Sequence, residues 1–178
     1  IGHIHYLTTI APPAIGIVLN VGSAHVGEFG PRQGIATAKA ELVEALPTDG
    51  VAILNADDDL VAAMAARTRA RVVLVGENAG AHVRATDISL NADGRASFTL
   101  TADSDSVPVS LAVAGRHQVG NALAVIAAAL VCGLDLPDIV ATLAGAGPVS
   151  RYRMEVTTRD DGVTIVNDAY NANPESMA

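Results

Sequence analysis

The sequence predicts an α/β protein: a parallel sheet with crossover helices plus a small antiparallel sheet, followed by the start of a second α/β unit. Three observations carry that expectation. Short β-branched runs alternate with helix-period stretches from Ile15 to Val75. Half of the 178 residues are hydrophobic but only 3% are aromatic, a mix that suits strands buried on both faces. After Ala81 the rhythm changes to alternating stretches divided by Asn, Asp, Gly and Ser.

Ile15 to Val21 follows Pro12-Pro13 and reads as a buried strand entered from a rigid loop, ending in Gly22-Ser23-Ala24-His25. A helix is predicted from Ile35 to Leu46, with Ile35, Ala38, Leu42, Val43 and Leu46 on one face and Pro47 and Gly50 ending it. Val51 to Leu54 is the next strand, Asn55 to Asp58 an acidic helix entry at the positive end of the dipole, and Leu60 to Arg67 the helix. Val72 to Val75 completes a β-α-β-α-β series. Three strands follow, His82 to Leu90, Ala96 to Thr101 and Val107 to Val113. Helices are predicted from Val119 to Val131 and from Pro137 to Ala144. Gly145-Ala146-Gly147-Pro148 is the linker candidate, dividing residues 1–147 from residues 148–178. Beyond it, Arg153 to Thr158 and Val163 to Asn167 read as strands, and Pro174 opens a further helix.

The net charge of −8, with no basic run, gives no footprint for a phosphate backbone, so neither nucleic acid nor an anionic membrane surface is an expected partner. The longest apolar stretch, Ala122 to Leu134, has thirteen residues and is closed by Asp135, where a spanning helix needs about 20. The lone Cys132 reads as a small buried hydrophobe, and a single cysteine fits a reducing cytoplasm. The opening residues lack both a secretory signal pattern and an initiator methionine, so the chain reads as the interior of a longer one.

Lys39 is the only lysine beside ten arginines. A lysine placed where the chain otherwise uses arginine suggests work that needs a neutral amine, but from the residues alone a surface pair with Glu41 or Glu44 is the favoured reading. His25 follows a strand end and a turn, where α/β sheets present ligand-binding groups; a hydrogen-bonded loop residue is the competing view. His3 and His5 alternate as in a strand and, with His82, read as structural. Gln118 and Asn121 stand at a helix start behind Gly115-Arg116-His117, where amides can face a purine edge or simply cap the helix. Asp168 ends a strand and could accept from ribose hydroxyls or serve as a turn residue.

Taken together, six ordered blocks resemble the Mur ligase family across essentially the whole chain. They are Asn20 to Gly30, Ala38 to Glu41, Leu54 to Asp58, Gly115 to Ala124, Ser150 to Glu155 and Asn167 to Pro174. The last two resemble the branch of the family that adds D-alanyl-D-alanine. The resemblance implies residues 1–147 as part of a central ATP-binding domain and residues 148–178 as the start of a C-terminal dinucleotide-fold domain. It implies a cytoplasmic, ATP-dependent ligase in cell-wall precursor synthesis that joins D-alanyl-D-alanine to UDP-N-acetylmuramoyl-tripeptide through an acyl phosphate. By the same likeness His25 binds Mg²⁺ and Lys39 is carbamylated as an oxygen ligand, which agrees with the need for a neutral amine. Asn121 reads the adenine of ATP, with Gln118 where many relatives carry Asn, and Arg153 and Asp168 contact the nucleotide; His117 braces its loop. A folylpolyglutamate synthetase, another Mur ligase, or a noncatalytic nucleotide-binding module are the alternatives.

No Gly-x-x-x-x-Gly-Lys-Ser/Thr loop is present, and with Lys39 the only lysine there cannot be one. These 178 residues alone are therefore expected not to release phosphate from ATP. A phosphate-release assay checks this, and measurable turnover would overturn it.

Overall fold

The computed structural model describes residues 1–22, 32–147 and 155–170. In chain order its elements are α1 (His3–Ile10), β1 (Ile15–Val18), α2 (Arg32–Glu44), β2 (Val51–Asn55), α3 (Asp59–Ala62), β3 (Arg71–Gly76), β4 (Val83–Leu90), β5 (Arg95–Ala102), β6 (Asp105–Ala114), α4 (Gln118–Val131), α5 (Leu136–Gly145), β7 (Glu155–Thr158) and β8 (Thr164–Asn167). Strands β1 to β6 form one sheet in sequence order, and β7 and β8 pair antiparallel in a second. The α/β class is as the sequence predicts. The three antiparallel strands continue the parallel sheet instead of standing apart from it.

Strand β2 shows why the apolar runs lack alternation. Val51 and Ile53 face one core with α4 and α5, while Ala52 and Leu54 face the other with α2 and α3. Both faces are dry, so every position is apolar, and each fully buried Leu or Ile contributes about 1.5–3 kcal/mol. Small residues set the spacing: the space beside Gly16 is filled by Leu42 and Leu46, 3.2 and 3.3 Å from where a Cβ would stand. The buried face of α2 is Ile35, Ala36, Ala40 and Val43, turned slightly from the predicted one, with Ala38 and Leu42 only half-buried.

The parallel join of β3 to β4 lacks a crossover helix, which parallel strands ordinarily need. It is possible because the two overlap only at Val75↔Val83 and Gly76↔Arg84. His82 extends the contact, its N–H donating to Leu74 O and its Nδ1 accepting from Leu74 N, both at 2.8 Å. The structural reading of His82 thereby gains a specific partner.

Three expectations are corrected. His3 and His5 lie on a helix, whose start is held by a carboxylate from outside the segment and not by local propensity. Cys132 is exposed, because it caps the C-terminus of α4 beyond that helix's buried stripe. The predicted Leu60–Arg67 helix is also shorter: α3 ends at Ala62 and a 3₁₀ turn continues to Arg67. Pro174 and its predicted helix lie outside the described residues.

Helix α1 has no buried residue, and its N-cap, Gly2, offers no side chain. Glu41 of α2 caps it from a distance, accepting from the N–H groups of Gly2 at 2.5 Å and His5 at 3.0 Å. Glu41 is the one buried charged residue among those described. The two backbone donors hold its carboxyl below its ordinary 4.5, so the stability it adds is present above that value and is lost as pH falls through the lowered one. Glu41→Gln is expected to cost about 1 kcal/mol at neutral pH, with the gap to wild type narrowing on acidification. Urea unfolding at several pH values checks this, and a gap independent of pH would rule out the charge as its source.

Candidate functional site

The chemistry-bearing side chains gather beyond the C-terminal ends of β1, β2 and β3, the edge at which open α/β sheets bind ligands. Lys39 reaches this edge from α2. Its Nζ donates to Asn20 O at 2.6 Å, just past β1. The competing view of Lys39 as a surface pair does not hold, because both carboxylates are committed elsewhere. Glu41 caps α1, and Glu44 pairs with Arg67 at 2.6 Å. Partial burial pulls the Lys39 amine below its ordinary value, an effect that Asp58 partly offsets.

Asp58 fixes the floor of this half. Its Oδ2 accepts from Val21 N at 2.7 Å, and its Oδ1 caps α3 through Leu60 N at 3.0 Å and Val61 N at 3.3 Å. Arg32 adds a clamp on Val21 O, at 3.1 Å from Nε and 2.7 Å from Nη2. Asn55 joins β1 to β2, donating to Leu19 O at 2.8 Å and accepting from Asp57 N at 2.9 Å.

Asp57 serves the other half. It does not cap α3; its carboxylate accepts from Glu77 N at 2.7 Å and Asn78 N at 2.9 Å, shaping the loop after β3. Gly76 is required there, since φ is +154° and an added Cβ would lie 2.6 Å from Asp57 Oδ2. Glu77 grips Arg116 in a fork of 2.8 and 2.9 Å, which raises the Arg116 pKa further. Arg116 stands beside Gly115, at φ +111°, where the His117 ring fills the space that a Cβ would take, so His117 braces the loop as expected. Helix α4 then presents Gln118 and the exposed Asn121, joined by an amide hydrogen bond of 2.9 Å.

Lys39 and Asp58 are thus brought together, and Gln118 pairs with Asn121. Asp168 follows β8 on the second sheet. His25 and Arg153 lie outside the described residues. Among the described residues no cluster of three or more His, Cys, Asp or Glu could hold a metal, and no helix is long and apolar enough to cross a membrane. Glu77 and Arg116 were not singled out from the sequence. The only available signal was the Gly76-Glu77-Asn78 stretch at a strand end, which resembles an ordinary turn.

Residues 1–129 match the Mur ligase middle domain. The chain belongs to the Mur ligase family. This Mur ligase chain is 54% identical over 176 residues to the UDP-N-acetylmuramoyl-tripeptide–D-alanyl-D-alanine ligase of Mycobacterium tuberculosis, covering 99% of the chain and 34% of that protein. The Bacillus subtilis ligase of the same name is 33% identical, with 99% and 37% covered. Among solved structures, MurF from Acinetobacter baumannii superposes with a TM-score of 0.89 at 38% identity, covering 98% of this Mur ligase chain and 38% of that one. MurF from Thermotoga maritima in complex with ADP gives 0.82 at 29% identity, with 98% and 40% covered. The chain spans about a third of the length of the curated relatives it matches.

Gly76→Ala is expected to destabilise the fold by about 2 kcal/mol, combining left-handed strain with the clash on Asp57. The penalty should shrink in an Asp57→Ala background, where the clashing carboxylate is gone. Denaturant unfolding of the four proteins measures the coupling, and strictly additive losses would refute it.

Proposed function

We propose that this chain is the middle of an ATP-dependent ligase that joins D-alanyl-D-alanine to UDP-N-acetylmuramoyl-tripeptide through an acyl phosphate, in peptidoglycan precursor synthesis in the cytoplasm. The observation that carries the reading is Lys39: the sole lysine, half-buried at the strand ends, with its amine on Asn20 O and its pKa lowered. Lowering the pKa enlarges the neutral fraction that can attack CO₂. The nitrogen lone pair forms the N–C bond, one proton leaves, and Lys39 becomes an anionic carbamate. The ligase names of the relatives support the substrate assignment, and the ADP held by the Thermotoga maritima MurF supports the nucleotide.

A Lys39 carbamate would offer Mg²⁺ the oxygen ligands it prefers, and His25, which the family likeness pairs with it, would add an imidazole nitrogen. When bound, Mg²⁺ neutralises charge developing on the transferred phosphoryl group. The remaining work is done by the chain itself. Asp58, Arg32 and Asn55 hold the β1 end against which Lys39 lies. Asn121 and Gln118 present amide donors and acceptors to the adenine edge, and Arg153 and Asp168 serve the rest of the nucleotide. Residues 1–147 form the C-terminal part of the central ATP-binding unit and residues 148–178 begin the next one. Support for that boundary comes from the sheets, since β1 to β6 share one and β7 and β8 form another.

In ¹³C-bicarbonate, the chain is expected to show a carbamate carbon resonance absent from Lys39→Arg. The signal should grow with rising pH, beginning below the ordinary lysine value of 10.5. In a full-length ligase carrying this sequence, Lys39→Arg should lower ATP-dependent product formation by about 100-fold. A Lys39 that stays unmodified at every bicarbonate concentration would replace the ligase reading with that of a noncatalytic nucleotide-binding module.

A further inference from the structure

The fork between Glu77 and Arg116 is the one side-chain tie that the described residues show between the loop after β3 and the start of α4. Each end is set independently. On the loop side, Asp57 holds the N–H groups of Glu77 and Asn78, and Arg84 Nε donates to Glu77 O at 2.9 Å. On the helix side, Gly115 N donates to Gly94 O at 2.8 Å and Gln118 N to Gly115 O at 3.1 Å. Between them stands a planar guanidinium on a carboxylate, a two-bond contact that fixes orientation as well as distance. Gln118 lies two residues after Arg116, and Asn121 one helical turn further on.

We propose that Glu77 and Arg116 are positioning residues of the nucleotide subsite: their ion pair, seated by Asp57, holds the start of α4 so that Gln118 and Asn121 meet the base. This rests on the reading of α4 as the base-binding element. The pair is largely exposed, its side chains 58% and 43% accessible for Arg116 and Glu77, so it adds little to global stability. Its effect is confined to where the amides stand. The two consecutive carboxylates at the end of β2 therefore divide their work: Asp58 sets the Lys39 half and Asp57, through Glu77, sets the base half.

The experiment titrates adenosine and, separately, inorganic tripolyphosphate into a full-length ligase carrying this sequence, following backbone amide shifts by NMR. Wild type is compared with Glu77→Gln, Arg116→Gln and the double variant. Each single variant should weaken adenosine by about three- to fivefold, the range open to an exposed charged pair, and the double variant should be no weaker than either. Tripolyphosphate binding, the Lys39 carbamate resonance and the unfolding midpoint should stay at their wild-type values. The proposal is overturned if Glu77→Gln binds adenosine as wild type does, if the two losses multiply, or if tripolyphosphate weakens in parallel. Failure of the underlying reading looks different: wild-type α4 amides would not shift with adenosine at all, and the proposal would fall with it.

Discussion

Two adjacent carboxylates at the end of β2 hold the binding edge of this protein together. Strand ends and helix starts leave backbone N–H groups without partners, and an unpaired donor out of water costs more than a hydrogen bond returns. Asp58 takes up Val21 N, Leu60 N and Val61 N, while Asp57 takes up Glu77 N and Asn78 N. Five donors from three segments thus converge on one dipeptide. The segments around Val21, Leu60 and Glu77 are thus fixed through their backbones.

Helix α2 shows how a short sequence distributes charge. Lys39, Glu41 and Glu44 lie within two turns, yet each faces a different neighbour: the end of β1, the start of α1, and Arg67. Had either glutamate turned toward the amine, the attraction would have favoured the ammonium form and opposed carbamylation. Sending both elsewhere leaves partial burial as the dominant influence on Lys39.

The elements were highly legible in the sequence because the two periodicities are clean. The run of Val51 to Leu54 reads as a strand with two dry faces and Asn91 to Gly94 as a turn, whereas of Asp103 to Ser106 only the first two residues turn, since Asp105 and Ser106 pair with Ala102 and Thr101. Helix α1 was missed because its stability comes from a residue about forty positions away, the carboxylate of Glu41, and no local propensity records that. The same holds at the site. Lys39 and Asn121 stood out through rarity and position, and the family blocks gathered them. Glu77 and Arg116 are ordinary surface charges until the fold brings them together across an interval of 39 residues. Cys132 went wrong for the opposite reason, since an apolar neighbourhood in sequence does not keep the end of a helix covered.

The way β3 meets β4 has a consequence for how the chain reaches its shape. Because the overlap is only two residues long, the sheet passes from long-range pairing to a meander at that point, with β4, β5 and β6 each beside its neighbour in sequence. Short loops close in well under a microsecond and hairpins in microseconds, whereas β1 and β2 meet only after the whole α2 segment has been laid down. The β4 to β6 flank therefore needs only short loops to close, while the edge that carries Lys39 belongs to the part whose closure spans the longest stretch of chain.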